Sequence, residues 1–355
     1  MSNPILDILT SIHPVVGLSP MDGLTDEPFR LLQSKIAKPD IIFTEFVSAE
    51  GLSHNATKLF DHLLYSQIER PIIGQIFGRS PDSFYSAGLM LCYLGFDGID
   101  INMGCPAATV TQHGGGAALI DKPAVAAELI KAVKAAINDF STQSRTLTDL
   151  HLKQKTLDTL DHNNVYSGFK IDPKNIQPPT LSVKTRLGTN EPVIERWIPY
   201  LGEQPLDFIT LHGRTLKQGY SGVSDWELIK ESARIIHQTK LKIIGSGDIK
   251  NRHQGSEYSQ KYGVDGYLIG RGCLGNPWVF LQETTEITSQ QKFDTLLLHA
   301  QMARSLFPDR QFDYLRQQFL LYAAGLPNAK KMRTELVRVS SLDQLCALEQ
   351  EFVSC

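Results

Sequence analysis

Residues 98–104 read "GIDINMG" and residues 121–140 read "DKPAVAAELIKAVKAAINDF"; together they decide the architecture. The first is a short β-branched apolar run closed by glycine, the pattern of a strand covered on both faces. The second carries proline near its start and apolar residues at i, i+3 and i+4, which predicts an amphipathic helix. Outward from this pair, similar apolar segments recur at "PVVGLSP" (14–20), "IIFTEFVS" (41–48), "PIIGQIFG" (71–78), "LSVKTRLG" (181–188), "DFITLHGRT" (207–215), "KIIGSGDI" (242–249) and "GYLIGRG" (266–272). Most of the gaps hold one helix. Eight strand–helix repeats predict an α/β protein built on a (β/α)8 TIM barrel. A doubly wound open sheet does not need eight such units.

At 355 residues the chain is long enough for one large domain, or a large and a small one. Apolar residues make up 42% and charged residues 21%, ordinary values for a globular protein, and the net charge of −3 alone points to no nucleic-acid partner. The N-terminal "MSNPILDILTSIHPVV" lacks a basic segment followed by a long apolar run, so it does not read as a signal peptide. No apolar stretch approaches the length of a membrane helix. The five cysteines (Cys92, Cys105, Cys273, Cys346, Cys355) are scattered and never in C-x-x-C spacing. That argues against a zinc site or a disulfide framework and fits a reducing cytoplasm. The expectation is a cytoplasmic protein with no metal, no membrane partner and no requirement beyond a monomer.

Two regions depart from the repeat. More than seventy residues separate the fourth and fifth strands. Their polar stretch, near 140–178, reads as an insertion after the fourth helix that enters strand five from the bottom face. After about residue 285 the strand pattern stops, and "FDTLLLHAQMARSLF", "RQFDYLRQQFLLYAAGL", "NAKKMRTELVRV" and "SLDQLCALEQEF" have helical periodicity, the last with a Ser341/Gln344 capping-box spacing. The predicted organisation is a barrel over 1–285 and a C-terminal helical bundle over 286–355. Residues 304–338 hold seven Lys/Arg against three Asp/Glu. On charge alone that is an ordinary solvated face; a phosphate-backbone contact is the sharper alternative.

In such a barrel the chemistry sits at the strand C-termini. The ends supply "SPMDG" from the first strand, Gln75 from the third, Asn102 and Cys105 from the fourth, Lys184 and Arg186 from the fifth, and His212 and Arg214 from the sixth. "GSGD" (245–248) and "GRG" (270–272) close the seventh and eighth. Taken singly, each residue could be an ordinary hydrogen-bonded side chain, but scattered packing residues have no reason to share one rim. Glycines after the last two strands let backbone N–H groups approach a phosphate, with Arg271 adding charge. A flavin mononucleotide fits this shape, with Gln75 at the ring edge and a cationic Lys184 near its N1/O2 side.

With these residues in place, the chain resembles the tRNA-dihydrouridine synthases over most of its length. The resemblance rests on "SPMDGLTD", "GQIFG", "DGIDINMGCPAATVTQHGGGAALI", "SVKTRLG", "LHGRT", "GSGDI", "DGYLIGRG" and the tail "LLYAAGLPNAKKMR". It implies reduction of the C5=C6 bond of a uridine in the tRNA D-loop, by flavin mononucleotide recharged with NADPH. It implies flavin contacts from Pro20, Met21, Asp22, Gln75, Lys184, Ser246, Gly247, Asp248, Gly270 and Arg271, with His212 near the flavin or the uracil. Asn102, Arg186 and Tyr220 would face the target base, and Cys105 would give the proton to C5. A thiol suits that step because it is largely protonated near neutrality yet able to release its proton. The uridine must be flipped out of the tRNA elbow into the barrel mouth, while the helical tail grips the backbone.

Three departures accompany the resemblance. Ser246 stands where the family commonly has Asn, the insertion is longer than the family norm, and "LRQQFLLY" has glutamines where basic residues are frequent. Two other functions fit parts of the pattern. One is a flavin barrel acting on a free pyrimidine of the dihydroorotate or dihydropyrimidine type, which needs neither helical tail nor basic stretch. The other is a non-catalytic RNA-binding scaffold, which has no need for Cys105, Lys184 and the phosphate loops to occur together.

Overall fold

The computed structural model describes residues 3–172, 177–283, 286–326 and 328–353. Eight parallel strands close into one barrel in sequence order: β1 (Val15–Leu18), β2 (Ile41–Ser48), β3 (Ile72–Phe77), β4 (Gly98–Met103), β5 (Thr180–Arg186), β6 (Phe208–His212), β7 (Lys242–Ser246) and β8 (Gly266–Ile269). Alternation along each strand sorts the side chains into three environments. In β4 the outward residues Ile99, Ile101 and Met103 join the main core between barrel and helices. At the bottom of the lumen, Val15, Ile41, Phe43, Ile73, Phe208, Ile244 and Leu268 form a separate apolar plug, closed by Ile5 and Leu9 of the N-terminal helix Pro4–Leu9. Above the plug the lumen turns polar, and the site begins there.

The helix Pro123–Ser141 follows the expected periodicity: Ala126, Leu129, Ile130, Val133, Ala136 and Ile137 are buried, and Pro123 opens it. Ser80, Asp225 and Asn251 cap the helices Pro81–Tyr93, Trp226–Ile236 and Arg252–Tyr262 by accepting from the N–H three residues on. The β2–β3 gap is the exception. It holds only the short helix Ala49–Ser53 and two 3-10 turns, Thr57–Leu63 and Gln67–Glu69.

The insertion fills that gap. Its helix Gln154–Ser167 lies along the barrel wall over the Thr57–Leu63 turn, with Asn163 Nδ2 donating to Phe60 O at 2.9 Å and Thr156 Oγ1 to Asn55 Oδ1 at 2.9 Å. Only its C-terminal end reaches the bottom face: Gln67 Nε2 donates to Ser167 O at 2.7 Å, and Phe169 lies under the Arg70 guanidinium. The bottom-face expectation therefore fits the end of the segment but not its helix, which covers a strand connection that forms no long helix of its own. Residues 173–176 of the insertion lie outside the described residues, as do 284–285 at the predicted domain boundary, Pro327 of the tail motif and Cys355.

From Ser289 onward the chain is helical, with its own apolar core of Phe293, Leu296, Ala300, Phe319, Met332 and Phe352. Leu32 of the barrel helix Glu27–Ile36 belongs to that core, so the helical region is seated on this helix. The expected capping box is half formed. Ser341 accepts from Gln344 N at 3.2 Å, but Gln344 Oε1 accepts from Ser340 N, one residue earlier.

At the seam, Asp26 caps Glu27–Ile36 by accepting from Phe29 N at 3.2 Å, and Gln318 Nε2 donates to Leu24 O at 3.2 Å and to Asp26 Oδ1 at 3.4 Å. Burial, then the charge of Glu45, pushes the Asp26 carboxyl up to about 6. Because this folded value is raised, its stabilising contribution is complete below about pH 4 and lost as pH rises through about 6. Asn mimics the protonated form. Relative to wild type, Asp26→Asn is expected to gain about 1–2 kcal/mol between pH 4.5 and pH 7.5 in urea denaturation run at both values.

Candidate active site

Strand register gathers the polar residues. Gln75 pairs with Asp100 and Asp100 with Ser182 on one level; Asn102 pairs with Lys184, and Arg186 with His212 and then Ser246, nearer the rim. The lower level is a closed chain of hydrogen bonds. Ser182 Oγ donates to Asp100 Oδ1 at 2.6 Å, and Gln75 Nε2 donates to Asp100 Oδ2 at 2.7 Å. Asn102 Nδ2 donates to Gln75 Oε1 at 2.9 Å. Gln75 is fully buried, and these bonds leave it one amide N–H and one lone pair on Oε1 to offer a ligand. Burial pushes the Asp100 carboxyl up to about 6, against the pull of its two donors and of Lys184.

That chain ends on the cysteine. Asn102 Oδ1 accepts from Gly104 N at 3.0 Å and from Cys105 N at 2.8 Å, fixing the turn that carries the thiol. On the far side, Ala117 N donates to Cys105 O at 3.2 Å. Gly116, at φ +57°, passes so close that a Cβ there would lie 2.9 Å from Cys105 O. Gly114 is also left-handed, at φ +84°, so two of the three consecutive glycines are needed for their backbone geometry. The thiol is 6% exposed, and burial above all pushes it up, with Asp22 adding to the shift and Arg186 and Lys184 opposing it. It is held protonated.

Around the thiol stand three cationic or basic groups. Arg186 Nε donates to Gly104 O at 2.7 Å and its Nη1 to Thr215 O at 3.2 Å, tying the β4 turn to the loop after β6. Burial, followed by Arg186, pulls the Lys184 ammonium down to about 8, and among the described residues it has no hydrogen-bond partner. His212 is held well below its ordinary value by burial and by the cations Lys184, Arg186, Arg214 and Arg271, so its ring is neutral. Tyr220 lies on the exposed loop after β6, with the Arg271 guanidinium 5.0 Å from its ring centroid.

The loops after β7 and β8 have the makings of an anion site. Among the described residues, the backbone N–H groups of Gly247, Asp248, Gly270 and Arg271 have no protein acceptor. Gly247 and Asp248 both take positive φ, +127° and +57°. The Asp248 carboxylate points elsewhere: it accepts from Arg214 Nη2 at 2.7 Å, Ser224 N at 2.8 Å and Arg271 Nη2 at 3.1 Å. Asp248 can thus meet a phosphate only through its amide, while its side chain organises Arg214 and Arg271. A Cβ on Gly247 would sit 2.2 Å from Ser224 Oγ. Gly247→Ala is expected to cost about 1–3 kcal/mol of stability through strain at that φ, read as a lower thermal midpoint, and to weaken flavin mononucleotide binding in a fluorescence titration.

The β1 loop completes the rim. Pro20 and Met21 are half-buried, and a Cβ on Gly270 would lie 3.5 Å from Met21 Sδ, so the β1 and β8 loops touch. Asp22 is exposed at the turn. Every residue singled out in the sequence therefore lies at this one end of the barrel. Asp100, Ser182 and Glu45 were missed. The first two share the period-2 inward register of Asn102 and Lys184, a signal present in "GIDINMG" and "LSVKTRLG". Glu45 had none, because a register shift between Phe43 and Phe46 turns it inward.

The basic stretch is less bare than its count suggests. Arg310 pairs with Asp61 at 3.0 Å, Lys331 with Glu351 at 2.8 Å, and Arg316 and Arg338 lie within 4 Å of Asp313 and Glu335. Arg304, Arg310 and Arg316 still line a cleft of about 620 Å³. Among the described residues no three His, Cys, Asp or Glu side chains are grouped to hold a metal, and no helix is long and apolar enough to cross a membrane.

A barrel whose mouth combines a thiol on a hydrogen-bonded turn, a lysine with no hydrogen-bond partner among the described residues and an anion-ready pair of loops is the architecture of a cofactor-dependent oxidoreductase. The family model described as "Dihydrouridine synthase (Dus)" matches residues 17–162 and 173–354, and the chain belongs to that family of flavin oxidoreductases. It is 34% identical over 349 residues to the "Probable tRNA-dihydrouridine synthase" of Staphylococcus aureus (strain COL), covering 96% of this chain and 93% of that protein. To the "Probable tRNA-dihydrouridine synthase 2" of Bacillus subtilis (strain 168) it is 32% identical, over 96% and 94% of the two chains. Among solved structures, DHODH from Eimeria tenella aligns over 75% of this chain and 78% of its own, at 12% identity and a TM-score of 0.46. Within the insertion, residues 163–172 fall outside the matched stretches, as do 1–16 and 355 at the ends.

Proposed function

We propose that the protein reduces a D-loop uridine of tRNA to 5,6-dihydrouridine, using flavin mononucleotide recharged by NADPH, in the cytoplasm. The carrying observation is the Lys184 ammonium, half-buried at the mouth with no hydrogen-bond partner among the described residues, between the Cys105 turn and the open amides of the last two loops. Asp100 offsets part of its charge, but its N–H donors are left unused, and a partly desolvated ammonium with idle donors is costly unless a ligand accepts from it. The residues present fit a flavin mononucleotide: Gly247, Asp248 and Gly270 amides with Arg271 for its phosphate, and Lys184 with the spare Gln75 N–H for its ring. When bound, that group supplies the hydride for C6 of the uracil.

The remaining chemistry belongs to the chain. Cys105 supplies the proton for C5; its elevated pKa keeps the proton in place until charge develops on the base. Asn102 sets the thiol's position through the Cys105 and Gly104 amides, and Arg186 locks the same turn from the other side. Neutral His212 can donate one hydrogen bond without adding a further full charge to Lys184 and Arg186. Tyr220, exposed and backed by Arg271, offers a face on which a flipped base can stack. Ser246, buried at the end of β7, contributes little side-chain reach, and the backbone of Gly247 takes over.

Colour is the test of the cofactor. The purified protein should be yellow and bleach on addition of NADPH. A colourless preparation that flavin mononucleotide fails to reconstitute would sink this reading.

A further inference from the structure

The bulge in β2 has a task of its own. Thr44 leaves the regular ladder: its Oγ1 accepts from Gln75 N at 3.1 Å and donates to Glu45 O at 2.8 Å. Glu45 is thereby aimed at the β1 loop; bulges beside active sites commonly re-aim a side chain in this way. Glu45 is 1% exposed, and both its oxygens are used. Oε1 accepts from Gly23 N at 2.6 Å, and Oε2 accepts from His62 Nδ1 at 2.8 Å. Gly23, at φ +71°, belongs to the turn that begins with Pro20, Met21 and Asp22.

His62 lies on the 3-10 turn Thr57–Leu63, and the neighbouring Asp61 accepts from Arg310 Nη2 of the helical region at 3.0 Å. Gln318 of the same region holds the other end of the β1 loop at Leu24 and Asp26. Two lines of contact thus run from the helical region to one loop of the barrel mouth. Those contacts are directional, and the Glu45 pair is charge-assisted, with its carboxylate end shielded from water while His62 stays partly exposed.

We propose that Glu45 and His62 are positioning residues for the Pro20–Gly23 turn, and that the helical region steadies them through Asp61 and Arg310. This rests on the flavin reading in that the turn would carry part of the cofactor. The helical region would then serve the reaction in two ways, by meeting the substrate and by setting the height of a loop in the site. Thr57–Leu63 is the link between the two roles.

His62→Leu deletes the bond to Glu45; His62→Asn keeps a side-chain donor at the same place. In ligand-free protein, hydrogen–deuterium exchange of the peptide covering residues 19–26 is expected to speed up about tenfold in His62→Leu and return close to wild type in His62→Asn, with the bottom strands unchanged. The dissociation constant of flavin mononucleotide, from fluorescence quenching, should rise about tenfold in His62→Leu. For tRNA, kcat should fall while KM stays within about twofold. Unchanged exchange at 19–26 in His62→Leu would overturn the proposal, as would equal losses in both variants. Faster exchange in a protein whose wild type binds no flavin would uphold the loop's dependence on His62 and overturn the cofactor reading instead.

Discussion

Cys105→Ala is expected to bind flavin mononucleotide as wild type does, to be reduced by NADPH at the wild-type rate, and to form dihydrouridine on the order of 10³-fold more slowly. The separation follows from what the thiol touches. Its backbone, not its sulfur, holds the turn, through Asn102 Oδ1 and Ala117 N, so an alanine leaves the scaffold in place. What disappears is the thiol that, on the proposed reading, gives its proton to the base as charge develops there. Cys105→Ser should not restore the rate, because a hydroxyl is a far weaker acid than a thiol. The measurement is a single turnover, following flavin bleaching by NADPH and its return on adding unmodified tRNA. Reoxidation by tRNA at the wild-type rate would remove Cys105 from the reaction.

Lys184→Met should be the second most damaging change, about 10²–10³-fold in tRNA reduction, the scale for losing one preorganised electrostatic contact. Methionine keeps the stem's volume and removes only the ammonium. The charge is also what pH controls. In the ligand-free protein the group sits at about 8, so the cation is depleted as pH rises through that value. Flavin mononucleotide affinity should therefore weaken from pH 7 to pH 9 in wild type and stay flat in Lys184→Met, measured by fluorescence quenching. A parallel pH dependence in both proteins would place the titrating group elsewhere.

The barrel was legible because each of its strands is a short, dense apolar run, and the outward half of that pattern is what the surrounding helices bury. The polar rim was legible for a different reason. Asn102, Lys184, Arg186 and His212 interrupt apolar strands near their ends, where a packing residue is otherwise expected. What escaped depends on contacts between distant segments. The turn that locates Cys105 relies on Asn102 and Gln75, and the β1 loop relies on Glu45 and His62, set by a bulge that no local pattern announces. The insertion's helix lies over the β2–β3 connection because that connection forms no long helix of its own, a property of the gap and not of the insertion. Gln318, which looked like a lost basic contact, is buried at the seam with the barrel.

The direct test of the central claim is to incubate the purified holoprotein and NADPH with unmodified tRNA and, separately, with free uridine monophosphate, and to map the product. Dihydrouridine at a D-loop position of the tRNA, with none from the free nucleotide, is the predicted result. Reduction of the free pyrimidine with none in tRNA would contradict it.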